Sequence, residues 1–218
     1  MRLRPLPISS LGAVLVIALM TGCAAADWHP RAAPGPVGTP GAGFLPSTPP
    51  TPEATISPVE GSWDSVHPSP GYRVVLLSAG DDPTVDTLTE AVDDWAESEG
   101  VELRTVDASQ NHIDGIVEAM DLSADLVISV GNDLIDALAT VSPNHLDVQF
   151  LVLGAEIAEP TANVTAVDWT GASFRGEGLG ASSTFDPASF TDDRCAAAVR
   201  AGVAAVLTGL SGTVLWID

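Results

Sequence analysis

The side chains that could do chemistry are few, and most of them are carboxylates. Asp81 and Asp82 stand side by side after the apolar run Tyr72-Arg73-Val74-Val75-Leu76-Leu77 and directly before Pro83. A pair of acids there can bind a cation or a ligand hydroxyl; alternatively, Asp82 caps a helix starting at Pro83 by accepting its free backbone N–H groups. The same placement suits a phosphoaccepting aspartate, but that chemistry needs a lysine and the chain has none. Cys23 follows Met20-Thr21-Gly22, a spacing that suits cleavage before the cysteine and thioether attachment of diacylglycerol to it. Cys195 lies in Arg194-Cys195-Ala196-Ala197-Ala198, where a buried structural thiol is expected. The four histidines, His29, His67, His112 and His145, lack zinc-ligand spacing. Gly131-Asn132-Asp133 and Gly176-Glu177-Gly178-Leu179-Gly180 do not match a dinucleotide loop, and no serine sits in a Gly-x-Ser-x-Gly turn. The sequence therefore points to no catalytic group, metal or cofactor, and the chain is expected not to be an enzyme.

The 218 residues carry 29 acidic and 8 basic side chains, a formal charge of −21, and every basic residue is arginine. Binding phosphates needs clustered cations, so nucleic acid is excluded as a partner. Adhesion of such a surface to anionic lipid is disfavoured as well. Residues 1–22 read as a lipoprotein signal peptide: Arg2 and Arg4, then an apolar run from about Ile8 to Met20, too short to span a bilayer as a helix. Two acyl chains on Cys23 would anchor the protein stably in a lipid bilayer, at the extracytoplasmic face of the cell membrane. Residues 23–70 are expected to be a disordered linker. Eleven of the 17 prolines fall between Ala24 and Pro70, with no hydrophobic periodicity. Extended, this tether would reach at most about 140 Å, at about 3.1 Å per residue, and Trp28, Phe44 and Trp63 would be incidental to it.

From residue 71 to 218 the pattern becomes regular, over a length that suits one compact domain. Val85, Leu88, Val92 and Trp95 recur at helical spacing up to Gly100. Residues 101–106 alternate like a strand with one solvated face, and Ile113, Ile116, Val117 and Met120 mark a second helix. Residues 125–130 read as a buried strand, Leu134 to Leu138 as a third helix, and 148–153 and 164–169 as two more strands. Residues 172–190, rich in Gly, Ser and Phe, look like an insertion before a last helix that starts near Asp192-Asp193. Such alternation implies an α/β fold: a doubly wound, mostly parallel sheet, with its first five strands in the order 2-1-3-4-5. Ligands of such sheets bind at the carboxyl ends of the strands. That rim holds Asp81-Asp82, Asp107, Gly131-Asn132, Glu156 and Asp168, among which Asp81, Thr84, Asn132 and Glu156 are the candidate ligand contacts by position.

Taken with the signal and its cysteine, this series resembles the basic membrane protein family of extracytoplasmic solute-binding lipoproteins. The likeness lies in Ala124-Asp125-Leu126-Val127-Ile128-Ser129-Val130-Gly131, in Asp147-Val148-Gln149-Phe150-Leu151-Val152-Leu153 followed by Asn163-Val164, and in Ala201-Gly202-Val203-Ala204-Ala205 through Gly212-Thr213-Val214. It covers about residues 72–218, in order. The resemblance implies the first lobe of a type I periplasmic-binding fold, a small polar solute such as a nucleoside, and an ABC importer whose permease is the partner. In the ligand segment after the first strand, Asp81-Asp82-Pro83-Thr84-Val85-Asp86 keeps the family's acid at Asp81 and lacks its aromatic. Asn132 stands where another aromatic is common, so stacking worth about 1–3 kcal/mol per base is missing. The alternative expectation is an envelope interaction lipoprotein that retains the scaffold without ligand binding.

Overall fold

The structure is a computed structural model that describes residues 28–172 and 174–218; the signal segment and Cys23 lie outside the described residues. Seven strands are described: β1 (Thr55–Ile56), β2 (Arg73–Ser78), β3 (Glu102–Asp107), β4 (Leu126–Val130), β5 (Phe150–Leu153), β6 (Val164–Asp168) and β7 (Val214–Trp216). They form one sheet in the order β1-β7-β6-β5-β4-β2-β3, every pairing parallel. The helices are α1 (Pro83–Glu99), α2 (His112–Asp121), α3 (Ile135–Val141) and α4 (Asp192–Leu207). The chain is thus the expected doubly wound α/β sheet, and β3-β2-β4-β5-β6 reproduces the expected strand order.

Both faces of the sheet are covered, which is why its central strands are apolar without alternation. Val74, Leu76, Leu126, Ile128, Leu151 and Leu153 pack with Leu88, Val92 and Trp95 of α1 and with Cys195, Val199 and Val203 of α4. Val75, Leu77, Val127, Phe150 and Val152 point the other way, onto Ile116 and Ala119 of α2 and Ile135 and Leu138 of α3. Helix α1 starts where the sequence places it. Asp82 is its N-cap, Pro83 fills the first turn, and Gly100 ends it with φ of 66°. Buried Asn163 ties the α3–β5 connection to β6, its Nδ2 donating to the carbonyls of His145 at 3.0 Å and Val148 at 2.9 Å.

The region before β2 departs from the expectation of a disordered linker. Phe44 is fully buried and Trp63 nearly so, their ring centroids 6.5 Å apart edge to face, in the same core as α1 and α4. β1 extends the sheet beyond β7, pairing Thr55 with Val214 and Ile56 with Leu215. Trp28 packs against the core on the α2 and α3 side. These contacts correct the reading of Trp28, Phe44 and Trp63 as incidental. A few large rings bury enough apolar surface to order a chain that has no periodicity. The backbone is paired as well: Val37 and His67 exchange hydrogen bonds at 2.8 and 2.9 Å, and Val59 N–H donates to the Gly43 carbonyl at 3.1 Å. Gly38 stands in this stretch with φ of 83°, and a Cβ there would overlap the Ser65 carbonyl at 1.9 Å, so a glycine is required.

Candidate functional site

In a parallel sheet every strand delivers its following loop to the same edge, and that shared edge is the rim. After β2 the chain turns through Gly80 and Asp81 into α1. The Asp82 carboxylate accepts the Thr84 N–H at 2.8 Å and the Thr84 hydroxyl at 2.7 Å, and these bonds hold its carboxyl below the usual range. Asp82 is therefore a helix cap, and the Thr84 hydroxyl is committed to it. Asp81, beside it, is exposed. The next turn joins this one: Gly80 N–H donates to Ser109 Oγ at 3.0 Å, and Ser109 donates from its N–H and hydroxyl to Asp107. The Ser109 bonds lower the Asp107 carboxyl as well.

After β4, Gly131 takes φ of 80° and brings the chain against α1, where a Cβ would meet Val85 Cγ2 at 2.6 Å. Half-buried Asn132 follows, its carbonyl accepting the Ile135 N–H at 3.2 Å at the start of α3. After β5 comes Glu156, buried, with Oε1 2.6 Å from Arg175 Nε. Burial pushes the Glu156 carboxyl up, the Arg175 guanidinium opposes that, and the nearby Asp168 adds to it. Fully buried Asp168, at the end of β6, accepts the Trp169 N–H at 2.8 Å and the Ser182 hydroxyl at 3.1 Å.

The described residues of the 172–190 stretch form a loop across the carboxyl ends of β5 and β6. Glu156 N–H donates to the Phe174 carbonyl at 2.9 Å, and Glu177 N–H reaches Asp136 of α3 at 3.0 Å. Trp169 donates from its indole to Ser189 Oγ at 3.0 Å and packs edge to face on Phe190 at 5.0 Å. Phe185 lies over Phe190 at 6.0 Å.

The four candidate contacts thus occupy the mouths of three neighbouring strands: Asp81 and Thr84 at β2, Asn132 at β4, Glu156 at β5. They differ in what they already hold. Thr84 is bound to Asp82 and Glu156 to Arg175, whereas the exposed Asp81 and half-buried Asn132 flank the point where strand order reverses. There β2 continues into α1 on one face of the sheet and β4 into α3 on the other, the position at which ligands of such sheets bind; the two turns approach closely, a Cβ on Gly80 falling 2.8 Å from Asp133 Oδ2. Sequence reasoning missed Ser109, Asp136, Arg175 and Ser182. The one available signal was that Arg175 is the only basic residue between Arg104 and Arg194, set in an insertion that follows two rim acids. Among the described residues, no group of three His, Cys, Asp or Glu side chains is placed to hold a metal ion.

A concavity of about 310 Å³ lies between α1 and α4 and is lined by Glu90, Asp94, Trp95, Asp192, Asp193 and Arg200 among others. It faces outward from the helix layer.

No protein-family model matches the chain, and no curated protein matches it. Among solved structures it is similar to a fragment from Peptoclostridium difficile 630 described as a "putative lipoprotein", with 13% identity and a TM-score of 0.46 over 63% of this chain and 98% of that one. It is also similar to an ABC transporter solute-binding protein from Aeropyrum pernix K1, with 22% identity and a TM-score of 0.39 over 47% of this chain. The chain spans 29% of the length of that second protein. Neither likeness carries a ligand or a partner over to this chain.

Proposed function

We propose that this protein is a membrane-anchored, extracytoplasmic lipoprotein whose α/β domain binds a small polar solute in the crevice between the β2–α1 and β4–α3 turns. The observation that carries the reading is the reversal of strand order at β2, with β3 on one side and β4 on the other. Asp81 offers a carboxylate to paired hydroxyls, and Asn132 offers both a donor and an acceptor. The anchor rests on Met20-Thr21-Gly22-Cys23 and the charged and apolar segments before it. The resemblance to the basic membrane protein family supports an ABC permease as the partner. Without stacking aromatics at the Asp81 and Asn132 turns, hydrogen bonds to sugar hydroxyls outweigh contacts to a base.

Thermal-shift screening of the mature chain with nucleosides and sugars tests this. A ligand raises Tm with increasing concentration, and Asp81→Asn and Asn132→Ala remove that rise while leaving the unliganded Tm in place. No rise from any candidate far above micromolar concentration defeats the reading. The alternative, an interaction lipoprotein that binds no solute, is favoured by the Glu156–Arg175 and Asp168–Ser182 pairs, through which the chain fills the mouth of β5 and β6 itself. Crosslinking in intact cells separates the two: a permease speaks for solute delivery, another envelope protein for the alternative.

A further inference from the structure

The concavity between α1 and α4 adjoins another of about 330 Å³, formed by α4 and the turn at residues 60–64. Asp193, Ala196 and Arg200 line both, so the two make one groove. Its charge is one-sided. Seven carboxylates line it, from Glu60 and Asp64 in the turn to Asp192 and Asp193 in α4, against the guanidinium of Arg200 among the described residues. Arg200 is half exposed and stands 3.8 Å from Asp64, and Glu99 has His67 Nδ1 beside it at 3.0 Å. Ala91, Trp95 and Ala196 add an apolar lining. The second observation is a buried donor. Trp63 lines the groove at the 60–64 turn, is 3% exposed, and its indole N–H has no acceptor among the described residues. By contrast the Trp28 and Trp169 indoles donate to Glu102 and Ser189. A buried N–H left unpaired is costly, so the Trp63 donor calls for an acceptor from outside the domain.

We propose that this groove binds an extended, lysine- or arginine-bearing segment of a partner protein, its cations on the carboxylates and a backbone carbonyl on the Trp63 N–H. The inference rests on neither solute binding nor the lipid anchor. The acceptor that Trp63 lacks must be neutral, because the carboxylates around it repel an anion. A ligand that joins cations to a neutral carbonyl is a basic peptide; a polyamine or a metal ion brings no carbonyl. In an extended segment alternate side chains share a face, about 7 Å apart, so one face carries the cations while the backbone offers its carbonyls beside them. The apolar stems of lysine and arginine suit Ala91, Trp95 and Ala196, with the charged heads at the exposed carboxylates. Glu90 and Asp94 are one turn apart on α1, and a bound cation relieves their repulsion. A concavity lined by one sign of charge also concentrates the field that draws such a partner in.

The test follows binding of a short fluorescent peptide of alternating lysine and glycine to the mature chain by anisotropy, at low and at physiological salt. The expected result is saturable binding that weakens as salt screens the charges. Asp94→Asn with Asp193→Asn lowers the affinity about threefold to tenfold. The same change of charge on the other face of the sheet, at the exposed Glu118→Gln and Asp121→Asn of α2, lowers it less than about twofold. Trp63→Phe keeps a ring against Phe44 and removes the donor, and it too lowers the affinity about threefold to tenfold. Absence of binding overturns the proposal. Equal losses from the two double variants overturn it as well, since the peptide then reads only the net charge of −21. Unchanged binding to a folded Trp63→Phe chain, or spermidine binding as tightly as the peptide, overturns the peptide as the ligand, because spermidine is a cation without a carbonyl. If Trp63→Phe does not fold, as its thermal unfolding shows, the carboxylate variants and spermidine still decide.

Discussion

Phe44 and Leu76 are both fully buried in one core, yet only Leu76 sits in a stretch whose pattern announces it. Residues 73–78 are an unbroken strand between helix layers, and each residue shares its role with its neighbours. Residues 28–70 instead hold on through widely spaced anchors, Trp28, Arg31, Phe44, Trp63 and Val66, with proline and glycine between them. The difference is one of redundancy. A periodic element distributes its burial over many side chains, while a loop-like segment concentrates it in a few.

Single substitutions should therefore fall more heavily on the segment than its composition suggests. The largest effect is expected at Phe44→Ala, about 3–5 kcal/mol, against about 2–5 for Leu76→Ala in the sheet. Urea unfolding of both variants measures this, and a Phe44→Ala loss below about 1 kcal/mol, the scale of ordinary surface changes, would break the comparison. Next is Arg31→Ala. The Asp125 side chain is only 2% exposed, and it would keep the Arg73 N–H at 2.9 Å while losing its cation. A loss of about 1–3 kcal/mol is expected for a group left in that state.

Asp82→Ala sharpens the contrast from the other side, because α1 has a long buried stripe to hold it. The missing cap should cost about 1 kcal/mol at neutral pH. The Thr84 bonds hold the Asp82 carboxyl below its ordinary value. Its contribution is therefore present above the unfolded value, about 3.9, and lost as pH falls through the lower folded value. The gap between wild type and variant should close in that acid window, as chemical denaturation at stepped pH would reveal. The smallest effect is kinetic. Burial pushes the Cys195 thiol up to about 12, with Asp192 adding to the shift and Arg194 opposing it. In a Cys23→Ser chain at pH 8, a thiol reagent should react with Cys195 no faster than the domain unfolds. Rapid reaction in the native state would mean that α4 does not rest on the sheet as described.

The regular part was legible because its signals are local. The apolar run ending at Leu77, the Asp82-Pro83 start and the Gly100 stop each depend on residues within one turn of each other. β1 left no such signal, since Thr55–Ile56 is too short to show a period and pairs with β7 more than 150 residues away. The expected strand from residue 148 starts at Phe150, because the Val148 carbonyl is taken by the Asn163 side chain rather than by a ladder. At the site, positions were readable and commitments were not. Any residue after a strand's carboxyl end reaches the rim, so Asp81, Asn132 and Glu156 could be placed there from sequence. That Glu156 meets Arg175 depends on how 172–190 folds back, which no spacing encodes.

Sequence alone determined the parallel α/β alternation, the caps of α1, the acid-rich rim and the excess of negative charge, because each follows from residue type and short-range periodicity. Tertiary structure alone decided that residues 28–70 are part of the folded unit, that the β5 and β6 mouth is closed by its own loop, and that Trp28 packs onto the α2 and α3 side of the core. Those outcomes depend on contacts between residues tens to more than a hundred positions apart. Such contacts form only where the folded backbone brings the two side chains within reach.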